Sequence, residues 1–177
     1  LDHLVVAAAT LDQGAAWCEA TLGVMPGAGG KHALFGTHNR LLKIASRAYA
    51  RAYLELIALD PDAAPEGRRA GPRWFGLDNP ALQAAVQQQP RLVHWVAATD
   101  DIDAGLLALH NHGLDAGQTL AASRDTPQGP LRWRISVRAD GARLYGGALP
   151  TLIEWDGTHP SESLRPSGVR LESLAVG

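Results

Sequence analysis

Two histidines and two glutamates recur in the same order along this chain, each within a short apolar run: His3, Glu55, His94 and Glu154. The same spacing separates His3 from Asp12 and His94 from Asp103. A chain that repeats an ionisable residue at the same place in two copies of one unit is expected to use both copies for one site. We therefore take these two histidines and two glutamates as candidates for a single site.

Two neutral imidazoles and two carboxylates are a donor set typical of a divalent transition metal that keeps open positions for water or substrate. Carboxylates buried in an apolar setting are costly, and a bound cation offsets that cost. The pattern therefore predicts a divalent metal ion held by His3, Glu55, His94 and Glu154. Its identity stays open among Zn, Ni, Mn and Fe(II).

Alternation along a strand decides which side of a sheet each of these residues faces. In the second half of the chain a tryptophan follows each candidate, Trp95 after His94 and Trp155 after Glu154. Neighbours on a strand face opposite ways, so both tryptophans are expected to fill the core on the helix side. His94 and Glu154 would then face a cleft, where they meet the histidine and glutamate of the first half.

Each histidine strand opens a unit of one strand, one helix and three further strands. Thr10 with Gln13, and Asp100, are expected to cap the two helices, which Gly23 and Gly113 end. This order predicts an α+β fold in which two paired βαβββ modules form curved, mixed or antiparallel sheets around a central cleft. The expected divisions are a first module over residues 1–60, a linker with a short helix over 61–90, a second module over 91–160 and a tail with an extra strand over 161–177.

Two local features of this layout need separate predictions. Residues 25–31 are rich in glycine and are expected to form a loop, with the next strand at residues 33–36. The linker carries Trp74 and Phe75, which are expected to fasten it to the core rather than to cover the cleft.

Composition and charge exclude several classes of protein. The 177 residues carry a net charge of −2, which gives no electrostatic footprint for nucleic acid or an anionic membrane. No apolar stretch is long enough to span a bilayer. The lone Cys18 rules out an internal disulfide and favours a reducing cytoplasm. A small molecule is the expected partner, and a homodimer is left open.

Four further polar residues are candidates for binding a substrate. His38 and Asn39 lie in a Gly-Thr-His-Asn-Arg stretch typical of a turn, where they either cap the turn or reach the rim of the cleft. Arg132 and Arg134 share one face of a strand whose other face holds Trp133. They either meet solvent or clamp an anionic substrate through bidentate hydrogen bonds.

Five stretches of the chain together resemble the vicinal oxygen chelate superfamily, and most of all its glyoxalase-like domain group of bacterial proteins: LDHLVVAAATLD, GTHNRLL, YLELIAL, RWFGLD and the closing LIEWDGTHP. The resemblance covers nearly the whole chain and implies βαβββ units. It also implies that the metal ligands come from the first and last strands of each unit, which here are His3, Glu55, His94 and Glu154. Dioxygenases and fosfomycin-type transferases of the superfamily use two histidines and one glutamate, which would leave Glu55 outside the metal shell.

The resemblance implies a metal-dependent lyase, isomerase or dioxygenase that acts on a small oxygenated metabolite. The metal would act as a Lewis acid on two substrate oxygens, and Glu55 or Glu154 would move a proton. Two other hypotheses stay open. One is a metal-free protein of the same fold that binds or sequesters a small molecule, and the other is a sensory or dimerisation module of a longer chain.

Overall fold

The computed structural model describes residues 1–64 and 68–176. Its strands are β1 (His3–Ala7), β2 (Gly27–His32), β3 (Thr37–Lys43), β4 (Tyr53–Leu59), β5 (Arg91–Ala98), β6 (Gln118–Arg124), β7 (Leu131–Val137) and β8 (Thr151–Asp156). Its helices are α1 (Leu11–Leu22), α2 (Pro80–Gln88), α3 (Ile102–Asn111) and α4 (Pro160–Ser163). None of the helices in these ranges combines the length and apolar character that a membrane crossing requires.

The strands form one eight-stranded sheet in the order β2-β3-β4-β1-β5-β8-β7-β6. Its two halves come from the two halves of the chain, and they meet where β1 pairs antiparallel with β5. In each half the first strand lies parallel to the last one, β1 beside β4 and β5 beside β8. The edge strands β2 and β6 also contact one another, so the sheet curls around a cleft. The predicted α+β fold of two βαβββ units is confirmed.

Strand alternation divides the apolar side chains between two cores. The core on the cleft side includes Val5, Ile57, Val96, Trp133 and Ile153. The core on the helix side includes Leu4, Val6, Cys18 and Leu56. Burial of each large apolar side chain contributes about 1.5 to 3 kcal/mol relative to exposure, so both cores hold the sheet in its curled shape.

The glycine-rich stretch is a strand rather than the predicted loop, and the predicted strand at residues 33–36 is a short 3-10 turn over Ala33–Phe35. A side chain at Gly29 would collide with Asn39, and one at Gly30 would collide with Arg124. The glycines therefore allow other side chains to cross this strand closely. Their composition suggested a turn because the same residue type serves turns and close packing.

The linker and the tail both pack against the sheet. Trp74 and Phe75 are buried and stack with centroids 4.9 Å apart, so they fasten the linker by filling the cleft itself. The tail forms a bridge to β3 and several hydrogen bonds, among them one from the Leu171 N–H to the Ile44 carbonyl and one from the Ser167 hydroxyl to the Lys43 carbonyl. Over residues 164–176 it has no strand of its own, so the predicted extra strand is not formed there.

Candidate functional site

A buried carboxylate, Glu55, lies at the centre of the polar groups in the cleft. It stands on β4 between β1 and β3 and is 4% exposed. The side-chain amide of Asn39 donates a 2.6 Å hydrogen bond to its Oε1. Two imidazoles approach it as well, with Nε2 of His3 3.6 Å from Oε2 and Nε2 of His32 3.9 Å from Oε1. Glu55 therefore has one firm hydrogen bond and two nearby nitrogens beyond ordinary hydrogen-bond length.

The imidazole of His3 is oriented by Asp2. Nδ1 of His3 lies 2.7 Å from Oδ1 of Asp2, and the ring stacks on Tyr53 with centroids 4.6 Å apart. The other oxygen of Asp2 accepts a 3.0 Å hydrogen bond from the Trp155 indole and lies 3.0 Å from Nε2 of His159. Burial alone would raise the pKa of Asp2, but hydrogen bonds with His159 and His3 outweigh it and hold that pKa well below its usual range. Asp2 is therefore ionised, and it links the start of β1 to Trp155 on β8 and to His159.

His32 and Asn39 complete the surroundings of the carboxylate. The Asn39 Oδ1 accepts a 2.8 Å hydrogen bond from the Gly30 N–H, so its amide nitrogen faces Glu55 and Nε2 of His32. Nδ1 of His32 lies 3.1 Å from the Thr37 hydroxyl. Burial lowers the pKa of His32 to about 4, although Glu55 acts to raise it. His32 is therefore neutral at neutral pH and does not balance the charge of Glu55.

The space beside these groups is small but connects to larger grooves. A cavity of about 30 Å³, bounded by Trp74 and Phe75, adjoins His3 and Glu55. This volume suits a water molecule, whereas a metabolite needs a pocket of about 300 Å³ or more. A groove of about 540 Å³ shares Arg124 with the cavity, and another of about 670 Å³ shares its Trp133 wall. The cavity beside Glu55 therefore borders both grooves through these shared residues.

His94 also faces the cleft, but it stands apart from Glu55. Its Nε2 lies 3.1 Å from the Thr151 hydroxyl and accepts a hydrogen bond from the Thr151 N–H, while Phe75 packs against the ring at 5.4 Å. Within the described residues its Nδ1 has no hydrogen-bond partner. Burial, and then the charges of Arg143 and His3, lower the pKa of His94 to about 4. This imidazole is neutral and packed among apolar groups.

Glu154 lies on the opposite side of the sheet, which corrects the prediction that it joins the site. Both of its oxygens accept hydrogen bonds from the Arg134 guanidinium, and Oε2 also accepts the N–H of Ile102 at the start of α3. The hydrogen bonds from Arg134 lower the pKa of Glu154. Trp155 takes the cleft side in its place and bonds to Asp2, so the prediction failed by one position of strand alternation. Trp95, by contrast, packs on the helix side as predicted.

The residues predicted to bind a metal do not form one donor set. Arg134 occupies the Glu154 carboxylate, and His94 is bound to Thr151. Across residues 1–64 and 68–176, no group of three or more His, Cys, Asp or Glu side chains is placed to hold a metal ion. The predicted donor set therefore does not fit a metal ion, and only His3 and Glu55 of its four members come together.

The four predicted substrate-binding residues have different surroundings. Asn39 lies in the cleft, whereas His38 faces away from it, with Nδ1 3.9 Å from an Asp60 oxygen. Arg132 is exposed, and Arg134 is held by Glu154. The turn suggested for His38 and Asn39 is the start of β3, and alternation along that strand separates the two side chains.

Four residues of the cleft were missed from the sequence: Asp2, His32, Arg124 and His159. The signal for Asp2 was its place beside His3. His32 was hidden because its strand was taken for a loop. His159, at 1% exposure, caps the short helix α4, and only the tertiary structure places it against the first residues of the chain.

The fold and the family agree with the resemblance seen in the sequence. The family model of the glyoxalase-like domain matches residues 1–177, and the chain belongs to this family. A structure of methylmalonyl-CoA epimerase from Streptomyces coelicolor, with 2-nitronate-propionyl-CoA bound, is similar at 18% identity and a TM-score of 0.54. That match covers 90% of this chain and 96% of the epimerase. The family match over the whole chain therefore confirms the resemblance to the glyoxalase-like domain group, and the structural likeness agrees with its fold.

A second similar structure is a hypothetical protein from Staphylococcus aureus. It shares 19% identity and a TM-score of 0.60, and the match covers 92% of this chain. The chain spans only 61% of the length of that protein. No curated protein matches the sequence. At these identities the structural likeness establishes the fold alone.

Proposed function

We propose that this protein is an isomerase- or lyase-type enzyme that removes a proton from the carbon next to a carbonyl group of a small metabolite. The observation that carries the proposal is the Glu55 carboxylate, buried in the cleft within 4 Å of both His3 and His32. A buried carboxylate that keeps unfilled hydrogen-bonding capacity is suited to accept a proton from carbon.

Each residue around Glu55 has its own role in the proposed reaction. Asn39 orients Glu55 through its 2.6 Å hydrogen bond, so that Oε2 is directed toward His3. Asp2 binds Nδ1 of His3 and leaves Nε2 facing the cleft. Since Nε2 and Oε2 are 3.6 Å apart, both are open to a substrate placed beside them. In the proposed step Glu55 takes the proton from carbon, and the electron pair of the broken C–H bond passes to the carbonyl oxygen to give an enolate. Because the Asp2 carboxylate accepts the Nδ1 proton of His3, Nε2 is an acceptor in the neutral tautomer, and it orients the substrate through a hydroxyl or N–H group.

The similar structures support an isomerase type. One of them is a methylmalonyl-CoA epimerase. An epimerase inverts a single stereocentre, and beside a carbonyl this is done by removal and return of a proton. The dioxygenase hypothesis gains no support, because such chemistry needs a bound redox metal and the four predicted donors do not meet. A cytoplasmic location and a homodimer stay predictions from the sequence.

The test is solvent isotope exchange. Panels of 2-oxo acids, hydroxyketones and acyl thioesters are incubated with the protein in D2O, and deuterium at the carbon next to the carbonyl is followed by NMR. Glu55→Gln should lower the exchange rate about 100- to 10,000-fold, the usual contribution of a general base. Glu154→Gln, which alters the carboxylate outside the cleft, should leave the rate unchanged. Exchange that survives in Glu55→Gln would remove Glu55 as the base.

A metal-free binding protein is the second candidate, and the aromatic filling of the cleft favours it. Trp74 and Phe75 occupy the space between the polar groups and His94, and Trp133 and Trp155 form the facing wall. Such a surface can enclose an apolar ligand without turnover. Saturable quenching of tryptophan fluorescence by carbonyl compounds, with no deuterium incorporation into any of them, would favour this function over the enzyme.

A further inference from the structure

We infer that the substrate carries a negatively charged group, a carboxylate or a phosphate, that is bound by Arg124 at the mouth of the cleft. This inference rests on the proposed function, since it places the charged end of a substrate whose reactive carbon faces Glu55. It differs from the anion clamp predicted at Arg132 and Arg134, because Glu154 and Asp103 already bind Arg134.

Arg124 is a partly buried cation on the cleft side of β6. Its guanidinium Nη1 lies 3.4 Å from Oδ1 of Asn39. Throughout residues 1–64 and 68–176, no carboxylate comes within ion-pair distance of this guanidinium, although Arg73, Arg134 and Arg138 each have such a partner. Burial lowers the pKa of Arg124, and the more distant charge of Glu55 acts to raise it. A half-buried guanidinium with unused donors is a site for an anion.

The strand opposite Arg124 lacks a side chain where the guanidinium lies, which leaves room for it. Gly30 on β2 faces the guanidinium, and any side chain there would overlap Nη1 of Arg124. The same two-glycine segment lets Asn39 cross the strand and reach Glu55. Glycine at these positions therefore keeps Arg124 and the Glu55 carboxylate on the same side of one narrow passage.

The groove beyond Arg124 has the charge that an anionic substrate requires. Its volume is about 540 Å³, and among the described residues that line it are three cations, Lys43, Arg124 and Arg165, and no aspartate or glutamate. It meets the Glu55 cavity at Arg124, Leu41 and Pro160. A groove lined by one sign of charge attracts ligands of the opposite sign. An anion held at this junction would direct the rest of the molecule inward, toward Glu55.

A structural role for Arg124 makes a different prediction. If the guanidinium only offsets the charge of Glu55, then anions would not bind at the junction. Replacement of Glu55 by Gln would then leave Arg124 without any function. If the guanidinium binds substrate, Glu55→Gln should preserve anion binding or strengthen it, because a nearby negative charge is removed.

The experiment measures binding rather than turnover, by calorimetry and tryptophan fluorescence. The probes are 2-oxobutanoate, its neutral methyl ester and inorganic phosphate. Arg124→Gln should weaken binding of the anion about 10- to 100-fold, as expected for lost hydrogen bonds to a charged group. Arg124→Lys should recover part of that loss, and the matched control Arg170→Gln, in the exposed tail, should bind like the unchanged protein.

The outcomes separate this inference from the proposed function. Anion binding that is lost in Arg124→Gln and kept in Glu55→Gln supports it, whether or not isotope exchange is found. Preference for 2-oxobutanoate or for phosphate identifies which anion the site takes. Equal binding of the acid and its ester, or undiminished anion binding in Arg124→Gln, overturns the inference while leaving Glu55 as the base. If Arg124→Gln does not fold, the comparison of acid and ester on the unchanged protein decides between the same two outcomes.

Discussion

Glu55 and Glu154 stand on corresponding last strands of the two halves, yet they face opposite sides of the sheet. Glu55 is buried in the cleft among His3, His32 and Asn39. Glu154 is bound by Arg134 on the other side. A difference of one position along a strand decides between a buried carboxylate in the cleft and an ion pair at the start of α3.

This difference divides the cleft into a polar half and an apolar half. The first half of the chain supplies His3 and His32 around Glu55, whereas the second supplies Trp133, Ile153 and Trp155 and a single cation, Arg124. The indole of Trp155 still serves the polar half, because it donates to Asp2. The two units therefore contribute unlike side chains to the cleft, mostly polar and ionisable ones from the first and mostly aromatic and aliphatic ones from the second.

The largest expected effect comes from the residue that separates the two halves. Trp74 stacks on Phe35 at 3.9 Å and meets the edge of His32 at 5.0 Å. Trp74→Ala should lower the free energy of unfolding by about 3 to 5 kcal/mol, because it leaves a large cavity. It should also admit larger ligands beside Glu55. Urea denaturation measures the change in stability, and ligand titration measures the change in ligand size that is accepted. A variant with unchanged stability and unchanged ligand preference would show that Trp74 does not fill the cleft.

Lowering the pH should destabilise the fold in the apolar half of the cleft, because His94 is buried there in its neutral form. Its pKa falls from 6.5 to about 4 on folding, owing to burial and then to Arg143 and His3. The unfolded chain binds the proton first, so stability is full above pH 6.5 and is lost as the pH falls toward about 4. At about 1.4 kcal/mol for each pH unit, the loss approaches about 3 kcal/mol.

The check is the urea midpoint of the unchanged protein and of His94→Gln between pH 7 and pH 4. The variant should be less stable at pH 7 and should lose less stability on acidification. His32→Gln removes the buried neutral imidazole of the polar half, so it should also make stability depend less on pH over the same range. If both variants lost stability with falling pH as steeply as the unchanged protein does, the conclusion that His94 and His32 are buried in the neutral form would be contradicted.

A smaller effect should follow from cutting the link between the halves. Trp155→Phe keeps an aromatic side chain, although a smaller one, and removes the indole N–H that donates to Asp2. Hydrogen bonds to a charged group contribute about 1.5 to 3 kcal/mol, so thermal unfolding should show a loss in that range. Trp95→Phe is a suitable control, since its indole donates to the Ala148 carbonyl instead. Isotope exchange should fall only in Trp155→Phe, because only that change loosens His3.

The smallest effect is expected at Glu154. Arg134 lowers the pKa of this carboxyl below 4.5, so its stabilising contribution is present above pH 4.5 and disappears as the pH falls below it. Glu154→Gln should therefore be slightly less stable than the unchanged protein at pH 7, and the difference should shrink as the pH falls below 4.5. Salt should reduce the difference, because both side chains of the pair are partly exposed to solvent. A large loss of stability at every pH would instead indicate a buried role.

Much of the fold was predictable from the sequence, since each histidine strand is followed by a capped helix and three apolar runs. One contact among the four candidate residues was predictable. His3 and Glu55 were chosen correctly as neighbours because both belong to strands that pair inside one module. Thr10 was also predicted correctly as the cap of α1, where its hydroxyl accepts the Gln13 N–H.

The remaining errors concern features that depend on strand pairing and on contacts between distant segments, which the sequence of a single strand does not specify. Whether Glu154 or Trp155 faces the cleft depends on how β8 pairs with β5 and β7, and both are compatible with alternation. His32 was missed because glycine signals both turns and close contacts. Arg124 and His159 gain their surroundings only from segments far away in the chain, across β2 and beside Asp2 respectively.

The most direct test of the division between the two glutamates is a crystal structure of the protein grown with an excess of Zn²⁺ or Ni²⁺. We predict that Glu55 lies between His3 and His32 while both oxygens of Glu154 remain on Arg134. A single ion bound jointly by His3, Glu55, His94 and Glu154 would contradict this division.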